Sequence, residues 1–208
     1  MIIRELCLEN FTKIPQALQA GVERIELCDN LDVGGTTPSY GVIEEAAKYV
    51  AESKTTLAVM IRPRGGNFVY NSHELKIIET DTLKAVEAGA QNIVFGALTP
   101  DNEIDTDALE TVSIAVQGLP ITFHMAFDEV ADQEKAIDQL VEFGVDKILT
   151  HGGPLDQPLN TNKLKSLIDY AKGKINIIIG GGVNAENFEN LAQLTGTNYV
   201  HGTKIIKL

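Results

Sequence analysis

The sequence predicts an α/β protein, a single (β/α)8 barrel of the TIM type spanning residues 1–208, with the eighth helix short or missing. Two observations carry that expectation. Eight short apolar runs alternate with longer helix-like segments from end to end, the order of parallel βαβ units. An internal repeat accompanies them. Gly21-Val22 precedes Ile25, Gly89-Ala90 precedes Ile93, Gly144-Val145 precedes Ile148, and Gly196-Thr197 precedes Val200. Each glycine fits the left-handed position that closes a helix just before a strand. They fall before strands two, four, six and eight at spacings of 68, 55 and 52 residues, a two-unit repeat made four times. A doubly wound open sheet is the competing fold, and the chain has no central G-x-G-x-x-G turn to support it.

Taken in order, the first strand is expected over 3–8, with Leu6 and Leu8 toward the helices and Glu5 and Cys7 inward. A helix over 12–20 leads to the second strand, 24–28, whose Ile25 and Leu27 face out while Glu26 and Cys28 face in. Gly34-Gly35 then allows a tight loop, and Thr37-Pro38 reads as N-cap and first position of a helix over 39–52. The third strand, 57–62, offers Met60 and Arg62 inward. A helix over 72–88 and a strand over 92–98 follow, then a helix over 106–116. The fifth strand, 121–126, brings Thr122 and His124 inward. The remaining pairs are a helix over 133–143 with a strand over 147–150, a helix over 161–171 with a strand over 176–179, and a helix over 185–194 with a strand over 199–202 that carries His201. After Gly202 only six residues remain, too few for an ordinary helix at about 1.5 Å per residue. Ile205, Ile206 and Leu208 are the candidates to cover that side, and a second subunit is another means of covering it.

Composition narrows the function. The chain is 44% hydrophobic and 22% charged with a net charge of −12, which suits a soluble domain and argues against nucleic acid or an anionic membrane as a partner. The charged N-terminus lacks the apolar core of a targeting segment, and no apolar run approaches a membrane span of about 18 residues. A cytoplasmic home is therefore expected, with the only two cysteines, Cys7 and Cys28, reduced.

An inner face holding two carboxylates, a guanidinium, two imidazoles and two thiols is unlike the Val, Ile and Leu layers that fill most barrels. Buried charges require partners, so Glu5 and Glu26 are expected to engage Arg62 and the histidines. Arg62-Pro-Arg64-Gly-Gly presents two guanidinium forks, and Gly181, Gly182 and Thr203 occupy the usual phosphate corner of such folds, so these five form an expected anion site. Cys7 and Cys28, placed at one level of adjacent strands about 4.8 Å apart, suit a soft metal such as Cu(I), with Met60 and His124 as further ligands. Two buried cysteines serving as small hydrophobes are the plainer reading. His73 opens a helix and reads as solvated surface.

Glu5-x-Cys7, Arg24-Ile-Glu-Leu-Cys28, Gly34-Gly-Thr-Thr-Pro-Ser39, Met60-Ile-Arg-Pro-Arg-Gly-Gly66, Phe123-His124 with Ala126-Phe-Asp128, and Ile148-Leu-Thr150 together resemble the CutC family of copper homeostasis proteins. The matched strings run in order along nearly the whole chain. The resemblance implies a (β/α)8-type barrel, a cytoplasmic home, dimers and a role in copper handling, with Cys7 and Cys28 as the copper-holding cysteines. Met125, Asn67 and His151 stand where the family usually has Arg, Asp and Ser, and Gly-Thr-Lys replaces its Ser-Ala step after His201. The expectation is a cytoplasmic Cu(I)-binding protein without an evident organic cofactor. The alternative is an enzyme acting on a small phosphorylated or carboxylated metabolite, with Glu5, Glu26 and His124 transferring protons.

Overall fold

A computed structural model describes residues 1–208. The chain forms β1 (Ile3–Glu9), α1 (Ile14–Gln19), β2 (Arg24–Cys28), α2 (Tyr40–Val50), β3 (Thr56–Met60), α3 (Ser72–Glu87), β4 (Asn92–Phe95), α4 (Thr106–Ala115), β5 (Ile121–Phe123), α5 (Gln133–Glu142), β6 (Lys147–Thr150), α6 (Thr161–Ala171), β7 (Asn176–Ile179), α7 (Phe188–Thr195) and β8 (Tyr199–Gly202). The strands pair in parallel in sequence order and β8 closes on β1, so the expected (β/α)8 barrel is the observed one. No helix is long and apolar enough to cross a membrane.

Strand parity divides the apolar side chains between two layers. Leu6, Leu8, Ile25, Leu27, Leu57, Val59, Ile93 and Phe95 point outward into one buried cluster of 48 residues shared with the helices. Removing each such side chain from water contributes about 1.5–3 kcal/mol, which makes this annulus the main source of stability. The barrel interior holds an apolar group of Cys7, Cys28, Ala58, Met60 and Val94, with Leu149 and Ile178 on the inward faces of β6 and β7, among many polar residues.

The repeated glycines close helices as expected, with φ of 69° at Gly21, 97° at Gly89, 74° at Gly144 and 82° at Gly196. Helix starts are capped by acceptors. Asn71 and Glu74 form a reciprocal capping box on α3, and Asp105, Asp132 and Asn160 cap α4, α5 and α6. On α2 the cap is Ser39, not Thr37, because Thr37 is committed elsewhere. Its hydroxyl accepts from the Arg62 amide at 2.9 Å, and its own amide donates to the Arg62 carbonyl at 2.9 Å.

Several strands end earlier than their apolar runs suggest. Residues 61–62, 96–98 and 124–126 leave the ladder but, except for the half-buried Met125, stay buried beneath the loops, so the hydrophobic signal outlasts the hydrogen-bonded strand. No eighth helix follows β8. Ile205 is fully buried and Ile206 half-buried over that side, while Leu208 is exposed.

Candidate functional site

The interior is built in two tiers. In the lower one, Glu5 on β1 forms an ion pair with Arg24 on β2 and takes Nδ1 of His201 from β8 on its other oxygen at 2.8 Å. The Arg24 guanidinium also donates to Asn92 at 2.6 Å and Thr122 at 3.2 Å. Glu5 therefore engages Arg24 rather than Arg62, which makes no ion pair. Parity contains that result, because Arg24 shares a face with Glu26 and Cys28. Burial alone would raise the Glu5 pKa, but the charges of Arg24 and His201 and their hydrogen bonds outweigh it and hold the carboxylate down at about 2.

In the upper tier, Cys7 lies opposite Glu26 in the β1–β2 register, and Cys28 lies opposite Glu9. The two cysteines are thus at different levels, contrary to the expectation, yet their sulfurs are 3.9 Å apart. The Cys28 thiol also stands 3.5 Å from a Glu26 oxygen, and His201 Nε2 is 3.8 Å from the same oxygen. One donor atom each from Cys7, Glu26 and His201 lies within 4.8 Å of the other two, and all three residues are buried. Gly35, at φ 89°, passes so close that a Cβ there would stand 3.2 Å from the Cys28 sulfur.

The charges of this tier are set by their neighbours. The hydrogen bond from Cys28, opposed by burial and aided by His201, brings the Cys7 thiol down to about 5. That same bond, with burial and the Glu26 charge, pushes Cys28 well up. Burial raises Glu26 far above the usual carboxylate range, against the pull of His201. Burial opposes charge on His201, but Glu26, Cys7 and Glu5 around it hold the imidazole well above its ordinary value. The tier thus presents a thiolate, which is the reactive and metal-binding form of cysteine.

The tier opens into a cavity of about 640 Å³ at the C-terminal ends of the strands. Arg62, His124, Gly181, Gly182 and Thr203 line it beside Cys7, Glu26, Met60 and His201. Arg64 does not. It pairs with Glu74 at 2.5 Å and donates to the carbonyls of Asn67 and Val69, which binds it to its own loop. Met60 packs against the two cysteines. His124 stands apart from the Cys7–Glu26–His201 group. Its Nδ1 accepts from the Ala126 amide at 3.2 Å, its ring lies against Phe68, and burial with the Arg62 charge lowers it to about 3, leaving it neutral. The expected metal residue His124 thus caps the short 3-10 helix Met125–Glu129 and has one open nitrogen. His151 is tied to the carbonyls of Gly180, Gly181 and Gln157, and Asp128 fastens this segment through Thr150 and the amides of His151 and Gly152.

Comparison with known proteins agrees with this architecture. The model of the CutC family matches residues 2–206. A family protein CutC from Streptococcus pyogenes serotype M6 is 56% identical over 99% of this chain and 100% of its own, and one from Enterococcus faecalis is 53% identical with the same coverage. A crystal structure from Streptococcus agalactiae, provisionally described as the copper homeostasis protein CutC, superposes with a TM-score of 0.96 at 52% identity over 99% of this chain and all of that one.

Proposed function

This chain belongs to the CutC family, and we propose that it binds one Cu(I) ion in the barrel mouth as its contribution to copper homeostasis. The observation that carries the reading is the convergence of Cys7, Glu26 and His201 donor atoms within 4.8 Å, with the Cys28 sulfur 3.9 Å from that of Cys7. A metal–sulfur bond is about 2.3 Å, so two sulfurs this far apart are within reach of a single ion. Soft thiolates select Cu(I) over harder divalent ions. Cys7 supplies the anionic sulfur, and Cys28 becomes the second when the ion displaces its proton. His201 Nε2, once it too gives up its proton, and a Glu26 oxygen complete the surroundings, and Met60 adds a soft thioether to the wall. His124 takes no part in this set.

Both thiols are free and buried, which fits a reducing compartment, and we place the protein in the cytoplasm as a homodimer. A competitive Cu(I) titration of the reduced protein beside its Cys7→Ser/Cys28→Ser variant tests the site. The expected result is about one ion per chain, lost in the variant while its circular dichroism is unchanged. Equal uptake by both proteins would make the cysteines core filler and end the proposal.

A further inference from the structure

The mouth contains more than a soft-metal site needs. Its volume of about 640 Å³ lies within the roughly 300–1,000 Å³ of small-molecule pockets and far exceeds one ion. Three buried side chains on its wall carry atoms without a hydrogen-bond partner: Arg62 Nε, His124 Nε2 and Glu26 Oε1. Arg62 is the most telling. Its guanidinium donates to the carbonyls of Val33 at 3.0 Å, Gly35 at 3.1 Å and Gly66 at 2.7 Å, and it lies over the Phe68 ring at 4.8 Å. No carboxylate pairs with it, so a full positive charge is buried with dipoles alone for company. Such a charge is costly unless an anion joins it.

Across the mouth, after β7 and β8, four and three strands from β3 around the barrel, lies a second row of donors. The amides of Gly181, Gly182 and Thr203 donate no hydrogen bond within the chain. Both glycines adopt positive φ, 77° and 86°, and line the cavity.

We propose that the barrel mouth is a binding site for a small organic oxyanion, a carboxylated or phosphorylated metabolite. One oxyanion meets Arg62, and a second polar end reaches the Gly181, Gly182 and Thr203 amides. His124 Nε2 and Glu26 Oε1 bond the groups between. His124 Nε2 carries the ring proton, because Nδ1 accepts from the Ala126 amide, and so can donate to an acceptor, while Glu26 Oε1 lies beside it unpartnered; such a ligand is recognised by hydroxyl or carbonyl groups along its length as well as by its charge. The assignment uses no cysteine and shares only Glu26 with the copper set, so it is tested apart from it.

The test uses metal-free, 15N-labelled protein titrated with succinate and, separately, with glycerol 3-phosphate, at constant ionic strength. The expected outcome is a saturable shift of the Gly181, Gly182 and Thr203 amide signals and of the Arg62 Nε–H signal with at least one probe. Affinity should fall by about tenfold in Arg62→Met and about threefold in Lys204→Gln, an exposed residue on the same rim. Arg62→Met also removes three loop tethers, so Lys204→Gln decides if that variant loses its dispersed spectrum. No saturable movement with either probe, or shifts that survive both substitutions unchanged, would overturn the proposal. Because the protein is metal-free, neither outcome bears on the Cu(I) titration.

Discussion

The sulfurs of Cys7 and Cys28 stand 3.9 Å apart although the register sets the two residues at different levels of β1 and β2. Strand tilt in a closed barrel carries Cys28 back over its neighbour. Two thiols that close share one proton unequally. Cys7 becomes the acceptor because His201 lies beside it, and Cys28 keeps its proton because Glu26 lies beside it.

That inequality is measurable. Cys7 is held at about 5, below an ordinary thiol near 8.5, so it is a thiolate at neutral pH and gains its proton only in acid. Following thiolate absorbance in the far ultraviolet should give a first midpoint near pH 5. Replacing Cys28 with Ala removes the donor whose hydrogen bond is the largest cause, and the midpoint should move up by a unit or more (about 1.4 kcal/mol). A wild-type midpoint at the ordinary thiol value would show that the sulfurs do not interact.

The framework was legible because two periodicities coincide. Alternation at Glu5–Leu8 and Arg24–Cys28 identified the inward faces, and the C′ glycines marked where each helix hands over to a strand. What escaped notice has physical causes. Arg24, at the first position of its strand, gave no signal of its own, but the closing of β8 on β1 buries that end and makes it the partner of Glu5. Arg64 matches Arg62 in sequence, yet the intervening proline and the reach of Glu74 turn it to the other side of the loop. The level of Cys28 depends on barrel stagger, a global quantity that no local pattern contains. His201 was inward by parity, but its role as the hub between Glu5 and Glu26 required the register.

The Glu5–Arg24 pair should show strong non-additivity. Arg24→Met leaves Glu5 a buried charge with only His201, and Glu5→Leu leaves the Arg24 guanidinium without a counterion. Each is expected to cost about 3–5 kcal/mol in urea unfolding, whereas the double substitution should cost less than the sum by more than about 2 kcal/mol. Additive losses would mean that the pair is not coupled.

The same carboxylate makes the fold acid-sensitive. Its folded value, about 2, lies below the unfolded value near 4.3, so its stabilising contribution is complete above that higher pH and is lost as pH falls from about 4.3 through 2. The full contribution is on the order of 3 kcal/mol. Unfolding midpoints of the wild type should therefore drop across that window more steeply than those of Glu5→Leu, which has no proton to take up. Parallel pH profiles would assign the acid sensitivity to other groups.

Gly202, the last residue of β8, is held to glycine by close approach rather than by conformation. A Cβ there would stand 2.4 Å from the Val183 carbonyl oxygen, a backbone atom that no rotamer change can move. Gly202→Ala must therefore displace the segment carrying Val183, whose neighbours Gly181 and Gly182 line the mouth. The expected cost is about 1–3 kcal/mol or more, since overpacking against backbone relaxes poorly. Gly41→Ala, on α2 with nothing within 4 Å of the new methyl, is the control and should be neutral or slightly stabilising. Thermal unfolding of the two variants separates the effects: a Gly202→Ala protein as stable as the Gly41→Ala control would show that the β7 and β8 loops yield easily and do not hold the mouth in shape.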